Sequence, residues 1–295
     1  MASTLTYWVV ISVLVHDLSA YAAWVLTKDR RLAAFRLRLR QRAAHWRLEG
    51  ALPGLREIGR FLFYVGLPYL ALVQGVVSPR MMGLHAAPAP GAMLAGPLTL
   101  VAGVLALDWA QALGVGSLLA LGAFAALALI WWRYQRLVGK LPTRSWRFRA
   151  PKDLDSAPPA TTRWPLSASL AALRQPWGWA RLLLTAVYLE VHWAFYRAWT
   201  LDLLRDDPAG AALGALLGLV LVGLEWYGDV GLRERLRTLA GVEEWVFVAS
   251  QAFVSTFIFL FIGNLWVLIA IHWLMTWGLL AFLGWLRRRT DSARV

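Results

Sequence analysis

The sequence predicts an all-α, polytopic transmembrane helical bundle of about seven spans, with the N-terminus outside and the C-terminus cytoplasmic. Three observations carry that expectation. First, 59% of the residues are apolar and 16% are charged, and several stretches of roughly 20 residues are almost free of charge, the length at which a helix crosses a hydrocarbon core. Second, the runs of Leu, Ala, Val and Gly do not alternate apolar with polar at every second position, as a membrane β-barrel would require. Third, the positive charge, net +13, is gathered in loops between apolar runs, the distribution that the positive-inside rule describes.

At 295 residues the chain has the length of one bundle with short loops, so residues 1–295 read as a single integral membrane domain without a separate soluble one. With no Cys, disulfides, thiolate metal sites and cysteine nucleophiles are excluded. Nucleic acid is not an expected partner, because the basic residues follow membrane topology and no aromatic stacking platform accompanies them. No cleavable signal peptide is expected, since the first apolar stretch is long and runs into a basic loop.

In chain order, a first span over about Leu5 to Thr27 is followed by a basic cytoplasmic loop, 28–60. There Phe35, Leu37 and Leu39 interleave with arginines, so the loop is suited to lie on anionic lipid headgroups as well as to anchor the topology. The second span is expected over Phe61 to about Val77, then a Pro and Gly-rich loop from Pro79 to Pro97 and a short re-entrant or interfacial piece from Leu98 to Ala106. A third span, about Gln111 to Trp132, enters a second basic, Pro-containing cytoplasmic loop, 133–176, kept irregular by Pro158, Pro159 and Pro165. The remaining spans are expected at about Trp177 to Trp199, Ala209 to Asp229, Trp245 to Ile262 and Leu265 to Leu286, with Gly263 and Asn264 as a tight outer turn and Arg287, Arg288 and Arg289 inside. Many of the 18 tryptophans fall near span ends, where aromatic belts form at the headgroups.

An ionisable group inside the hydrocarbon is costly unless it is paired or lines a wet cavity, so each is a functional candidate. The sequence places His16 and Asp17 in the first span, Arg181, Glu190, His192 and Arg197 in the fourth, Glu225 and Asp229 in the fifth and His272 in the seventh. Glu190, Trp193 and Arg197 share one helical face, which makes Glu190 with Arg197 a candidate ion pair, while His192 points elsewhere as a candidate ligand or general base. Asp17 is a candidate partner for an arginine across the bundle. Thr276, four residues after His272, is placed to orient that imidazole. Glu243 and Glu244 suit a helix N-terminal role.

The segment Gly263-Asn-Leu-Trp-Val-Leu-Ile-Ala-Ile-His272-Trp-Leu-Met-Thr276 resembles the last motif of the CPBP family, the CAAX-processing and bacteriocin-processing intramembrane proteases, and the resemblance covers residues 177–286. The family's Glu-Glu-x-x-x-Arg motif would fall on His192-Trp193-x-x-x-Arg197 and its Phe-x-x-x-His on Leu221-x-x-x-Glu225, so both glutamates and one histidine are replaced. What the resemblance implies is an activated water and a peptide carbonyl, with His192, Glu225, His272, Glu190 and Arg197 as the catalytic candidates and His192, His272 and Glu225 as a ligand set suited to zinc. Against that set, span lengths place Glu225 on the order of 10 Å nearer the cytoplasm than His192 and His272. His16, also near mid-depth, is then an alternative ligand.

Three readings of function follow. With three motif positions altered, a non-catalytic relative acting as membrane scaffold or accessory subunit is the first, held in the plasma (inner) membrane beside other membrane subunits. An active metal-dependent intramembrane peptidase is the second. A bis-His haem-binding subunit using two of His16, His192 and His272 is the third.

Overall fold

Every regular element among the described residues is helical. The structure is a computed structural model that describes residues 2–28, 32, 37, 38, 41, 52–84, 107–138, 166–207 and 209–292. Its elements are α1 (Ala2–Lys28), α2 (Leu52–Phe61), a π-helical turn (Leu62–Gly66), α3 (Leu67–Val73), α4 (Leu107–Val138), α5 (Ser167–Arg174), α6 (Gly178–Leu203), α7 (Gly210–Gly228), α8 (Val230–Arg235), α9 (Leu239–Ile262) and α10 (Leu265–Ser292). Most of the 28–60 loop, the 98–106 piece and the prolines at 158, 159 and 165 lie outside the described residues.

Five helical segments are long and apolar enough to cross a membrane: Thr4–Leu26, Trp109–Leu137, Gly210–Gly228, Leu239–Ile262 and Leu265–Arg289. In the first two, only 11% of the most apolar stretch is buried within the protein, so side chains such as Leu18 and Leu118 stand on the outside. Apolar surface on that scale needs a hydrocarbon solvent. The chain is therefore a helical membrane protein.

Two expected spans are not among the five. The second is interrupted: the π turn at 62–66 joins two short α-helices, and after Val73 the chain folds back, with Val76 N and Val77 N donating to Ala71 O. The fourth, α6, has the length but carries Arg181, Glu190, Arg197 and Asp202. From Trp193 to Ala198 every residue of α6 is buried. A stretch of helix enclosed by protein can hold charges such as Glu190 and Arg197, both buried, that a lipid-facing stretch cannot.

By contacts the chain forms two compact units, Met1–His85 with Tyr188–Glu234 and Ala86–Val187 with Arg235–Val295. In the first, α1, the α2–π–α3 segment and α7 surround the second part of α6. Gly210, Gly214 and Gly218 recur every fourth residue on the buried face of α7, which lets two backbones approach as in other small-residue helix contacts. A Cβ on Gly218 would stand 2.9 to 3.2 Å from Arg197 atoms, and one on Gly214 3.0 to 3.1 Å from Leu201. Thr200 Oγ1 donates to Gly214 O across the same seam. Glu225 lies two turns beyond Gly218 on that face, so the glycines deliver it against α6.

The second unit packs α4, α9 and α10 together with α5 on a core of Trp131, Leu166, Leu170, Phe247, Leu279, Leu280 and Leu283. The turn between α9 and α10 forms as the sequence expects. Gly263 adopts a left-handed conformation, φ 54°, at the end of α9, and Asn264 Oδ1 accepts from Trp266 N and Val267 N to cap α10. Glu243, in the first turns of α9, is buried and accepts a hydrogen bond from Tyr134 Oη at 2.7 Å.

Candidate functional site

In the first unit three ionisable side chains from three helices meet. Glu225 of α7 places Oε1 2.9 Å from His16 Nδ1 of α1 and Oε2 2.8 Å from His192 Nε2 of α6. Glu225 and His192 are 2% and 1% exposed, so the contacts stand in a water-poor interior where hydrogen bonds to a charged group are strong. An ionised carboxylate only accepts, so each ring presents its N–H to Glu225. The other ring nitrogens, His16 Nε2 and His192 Nδ1, are both buried without a hydrogen-bond partner among the described residues.

Aromatic rings enclose the cluster. Phe63 lies 5.6 Å from the His16 ring and 5.0 Å from that of His192, Tyr64 meets His192 edge-on at 5.1 Å, and Tyr196 packs on it at 4.5 Å. Phe63 and Tyr64 are consecutive residues of the π turn, whose extra residue per turn swings both rings toward α6. Tyr196 Oη is 3.2 Å from Ser12 Oγ, which extends the polar seam one turn along α1. Behind Tyr64, Tyr188 stacks at 6.1 Å, and the Arg60 guanidinium lies over the Tyr188 ring.

A second charged contact on α6 brackets His192, from half a turn before it to about one and a half turns after it. Arg197 Nη2 donates to Glu190 Oε2 at 3.4 Å, with both side chains at most 1% exposed. The pair is the one that helical spacing marks. Asp17, by contrast, forms no salt bridge among the described residues; its carboxylate lies against Gly228, where a side chain would collide with it. Asp229 accepts a hydrogen bond from Leu232 N and caps α8.

Glu225 and His192 are in contact despite the depth difference of about 10 Å expected from span lengths, because α6 continues to Leu203, four residues past Trp199, which moves His192 about 6 Å relative to the turn. The length of the glutamate side chain covers the rest. His16 takes the place beside Glu225 that its depth allows.

His272 belongs to the second unit, on α10, where it is 6% exposed and lines a narrow crevice with Gln251 and Ser255 of α9. Thr276 does not orient it, since the Thr276 hydroxyl has no hydrogen-bond partner among the described residues. Among those residues no three His, Cys, Asp or Glu side chains are placed to hold a metal ion. The His192, His272 and Glu225 set is not assembled for zinc among the described residues, where His192 Nε2 is engaged by Glu225. Sequence reasoning missed Phe63, Tyr64, Tyr196 and Ser12, whose roles depend on the π turn and on the crossing of α1 with α6.

The chain matches no family model, no curated protein and no solved structure.

Proposed function

We propose that this protein is a non-catalytic integral membrane subunit of the plasma (inner) membrane, a scaffold or accessory component of a larger membrane complex and a divergent relative of the CPBP proteases. The observation that carries the reading is that Glu225 spends both carboxylate oxygens on imidazoles of its own chain. With Arg197 on Glu190, the charged groups of the candidate site hold helices together, the arrangement of a structural polar core. Seven spans, an outside N-terminus and basic loops on anionic headgroups complete the proposal.

A second reading, an intramembrane peptidase, is favoured by the buried nitrogens His16 Nε2 and His192 Nδ1, which have no hydrogen-bond partner among the described residues, since a neutral imidazole oriented by a carboxylate can act as a general base. One experiment separates the two: thermal unfolding and cleavage of a fluorogenic transmembrane peptide, measured on wild type and on Glu225→Gln in detergent, with zinc analysis and a visible spectrum of the same samples. The scaffold reading expects a lower melting temperature in Glu225→Gln and no cleavage by either protein. Cleavage by wild type that disappears in a Glu225→Gln protein of unchanged stability sinks it.

A further inference from the structure

In the second unit a groove of roughly 350 Å³ lies along the seam between α4 and α10, walled by Ala120, Leu121 and Phe124 of the one and Ile271, Leu274 and Met275 of the other. Leu121 and Leu274 are 67% and 52% exposed, so the groove opens toward the hydrocarbon. A Cβ on Gly116 would meet Ile271 and Val267, and one on Gly278 would meet Phe124. The two helices therefore run parallel, in a register that brings Trp132 level with Trp285 and Arg136 level with Arg289. Trp132 follows Leu121 by eleven residues, and Trp285 follows Leu274 by the same number, which is three turns at nearly the same azimuth. Between them on that face come only small side chains, Ala125 and Ala128 on α4 and Gly278 and Ala281 on α10. Each tryptophan carries an arginine: the Arg136 guanidinium stands 4.0 Å from the centre of the Trp132 ring, and that of Arg289 4.1 Å from the centre of the Trp285 ring.

We propose that this seam binds an anionic glycerophospholipid, with one acyl chain running along it into the groove and the phosphate held by Arg136 and Arg289. Distance, charge and geometry select that occupant. Eleven helical residues span about 16 Å, half of a hydrocarbon core roughly 30 Å thick, so the groove lies one leaflet's depth, the reach of one acyl chain, from the Trp–Arg pairs. The helix ends 131–138 and 284–292 carry five arginines against one acidic residue, Asp291. Glu243, which α9 brings to the same end, is buried and engaged by Tyr134. That excess favours a headgroup of net negative charge over a zwitterionic one. A guanidinium laid on an indole is held in place, while the N–H groups along its edge remain able to donate to phosphate oxygens. Tryptophan beside it suits the level of the glycerol esters. The occupant comes from the cytoplasmic leaflet, an orientation that rests on the topology proposed above; the binding itself does not.

The test uses the full chain in a neutral detergent, titrated with dioleoyl-phosphatidylglycerol or dioleoyl-phosphatidylcholine and read by native mass spectrometry. Phosphatidylglycerol is expected to bind more tightly. Arg136→Gln with Arg289→Gln is expected to weaken it about thirtyfold, the effect of two arginines at an anionic surface, and to leave phosphatidylcholine little changed. Arg56→Gln with Arg237→Gln removes the same charge from two other exposed positions and is expected to leave phosphatidylglycerol binding intact. Ala120→Phe, which narrows the groove, is expected to weaken dioleoyl-phosphatidylglycerol and to spare dioctanoyl-phosphatidylglycerol, whose chains stop short of it. Should the Arg136, Arg289 variant not fold, the two chain lengths on Ala120→Phe decide. Equal binding of the two headgroups, an equal loss in the Arg56, Arg237 variant, or an equal response of both chain lengths to Ala120→Phe would overturn the proposal. The scaffold reading fails separately, on the unfolding and cleavage of Glu225→Gln, and the topology on the side from which Arg289→Cys is labelled.

Discussion

Glu225 and Glu190 are the residues whose removal leaves buried partners without their carboxylate. Replacing Glu225 with Gln takes away an acceptor oxygen and puts an amide N–H2 against one of two imidazole N–H groups. A buried donor left facing a donor costs about 1 to 3 kcal/mol. We expect a lower melting temperature in detergent, and a further expectation separates cause from coincidence: His16→Ala and His192→Ala in the Glu225→Gln background add less than they do in wild type, which a double-mutant cycle reads. For the other pair, Glu190→Leu leaves the Arg197 guanidinium, 1% exposed, without its carboxylate, and breaking a buried pair from one side costs on the order of 3 to 5 kcal/mol. Glu190→Leu with Arg197→Met is expected to recover much of that loss in thermal unfolding. If the double variant is as unstable as Glu190→Leu, the pair is not what Arg197 depends on.

At the scale of elements, α7 is positioned by its glycines and the α2–π–α3 segment by its extra residue. Gly218→Ile adds a branched side chain where a Cβ already comes within 2.9 Å of Arg197, so α7 must move away from α6. Overpacking of this kind costs about 1 to 3 kcal/mol, and because Glu225 is two turns farther along the same face, the displacement opens the His192 contact as well. Expected results are a lowered melting temperature and imidazole resonances of His16 and His192 that shift in Gly218→Ile. Deletion of one residue of the π turn, Val65, would return the rest of 62–66 to α-helical register and turn Phe63 by about 100° relative to α3. That variant is expected to lose the ring contacts on both histidines. Unaltered histidine resonances in a folded deletion variant would show that the π turn does not set the site.

For the whole molecule, the absence of Cys permits single-cysteine mapping without background. With seven spans and an outside N-terminus, a membrane-impermeant maleimide added to intact cells or right-side-out vesicles should label Asp207→Cys and Gln74→Cys, and should reach Arg235→Cys and Arg289→Cys only after the membrane is opened. Gln74 decides the number, since it closes the interrupted second span; if it reacts only from inside, that segment does not cross.

Several features were legible from the sequence alone because they depend on composition or on residues near one another along the chain. Helical membrane structure follows from long uncharged runs, the Gly263–Asn264 turn from a residue that tolerates positive φ beside one that caps a helix, and the Glu190–Arg197 pair from two turns of one helix. Only the tertiary structure decided that Glu225 lies between His16 and His192, that Phe63 and Tyr64 face them, and that the polar helix α6 is the enclosed one. Those contacts join residues from distant parts of the chain, so they depend on how far each helix extends past its apparent end, on a single extra residue in one turn and on how closely glycines let two backbones approach. Helical periodicity within one segment carries none of that information, because it assigns a residue to a face without saying which other face it meets.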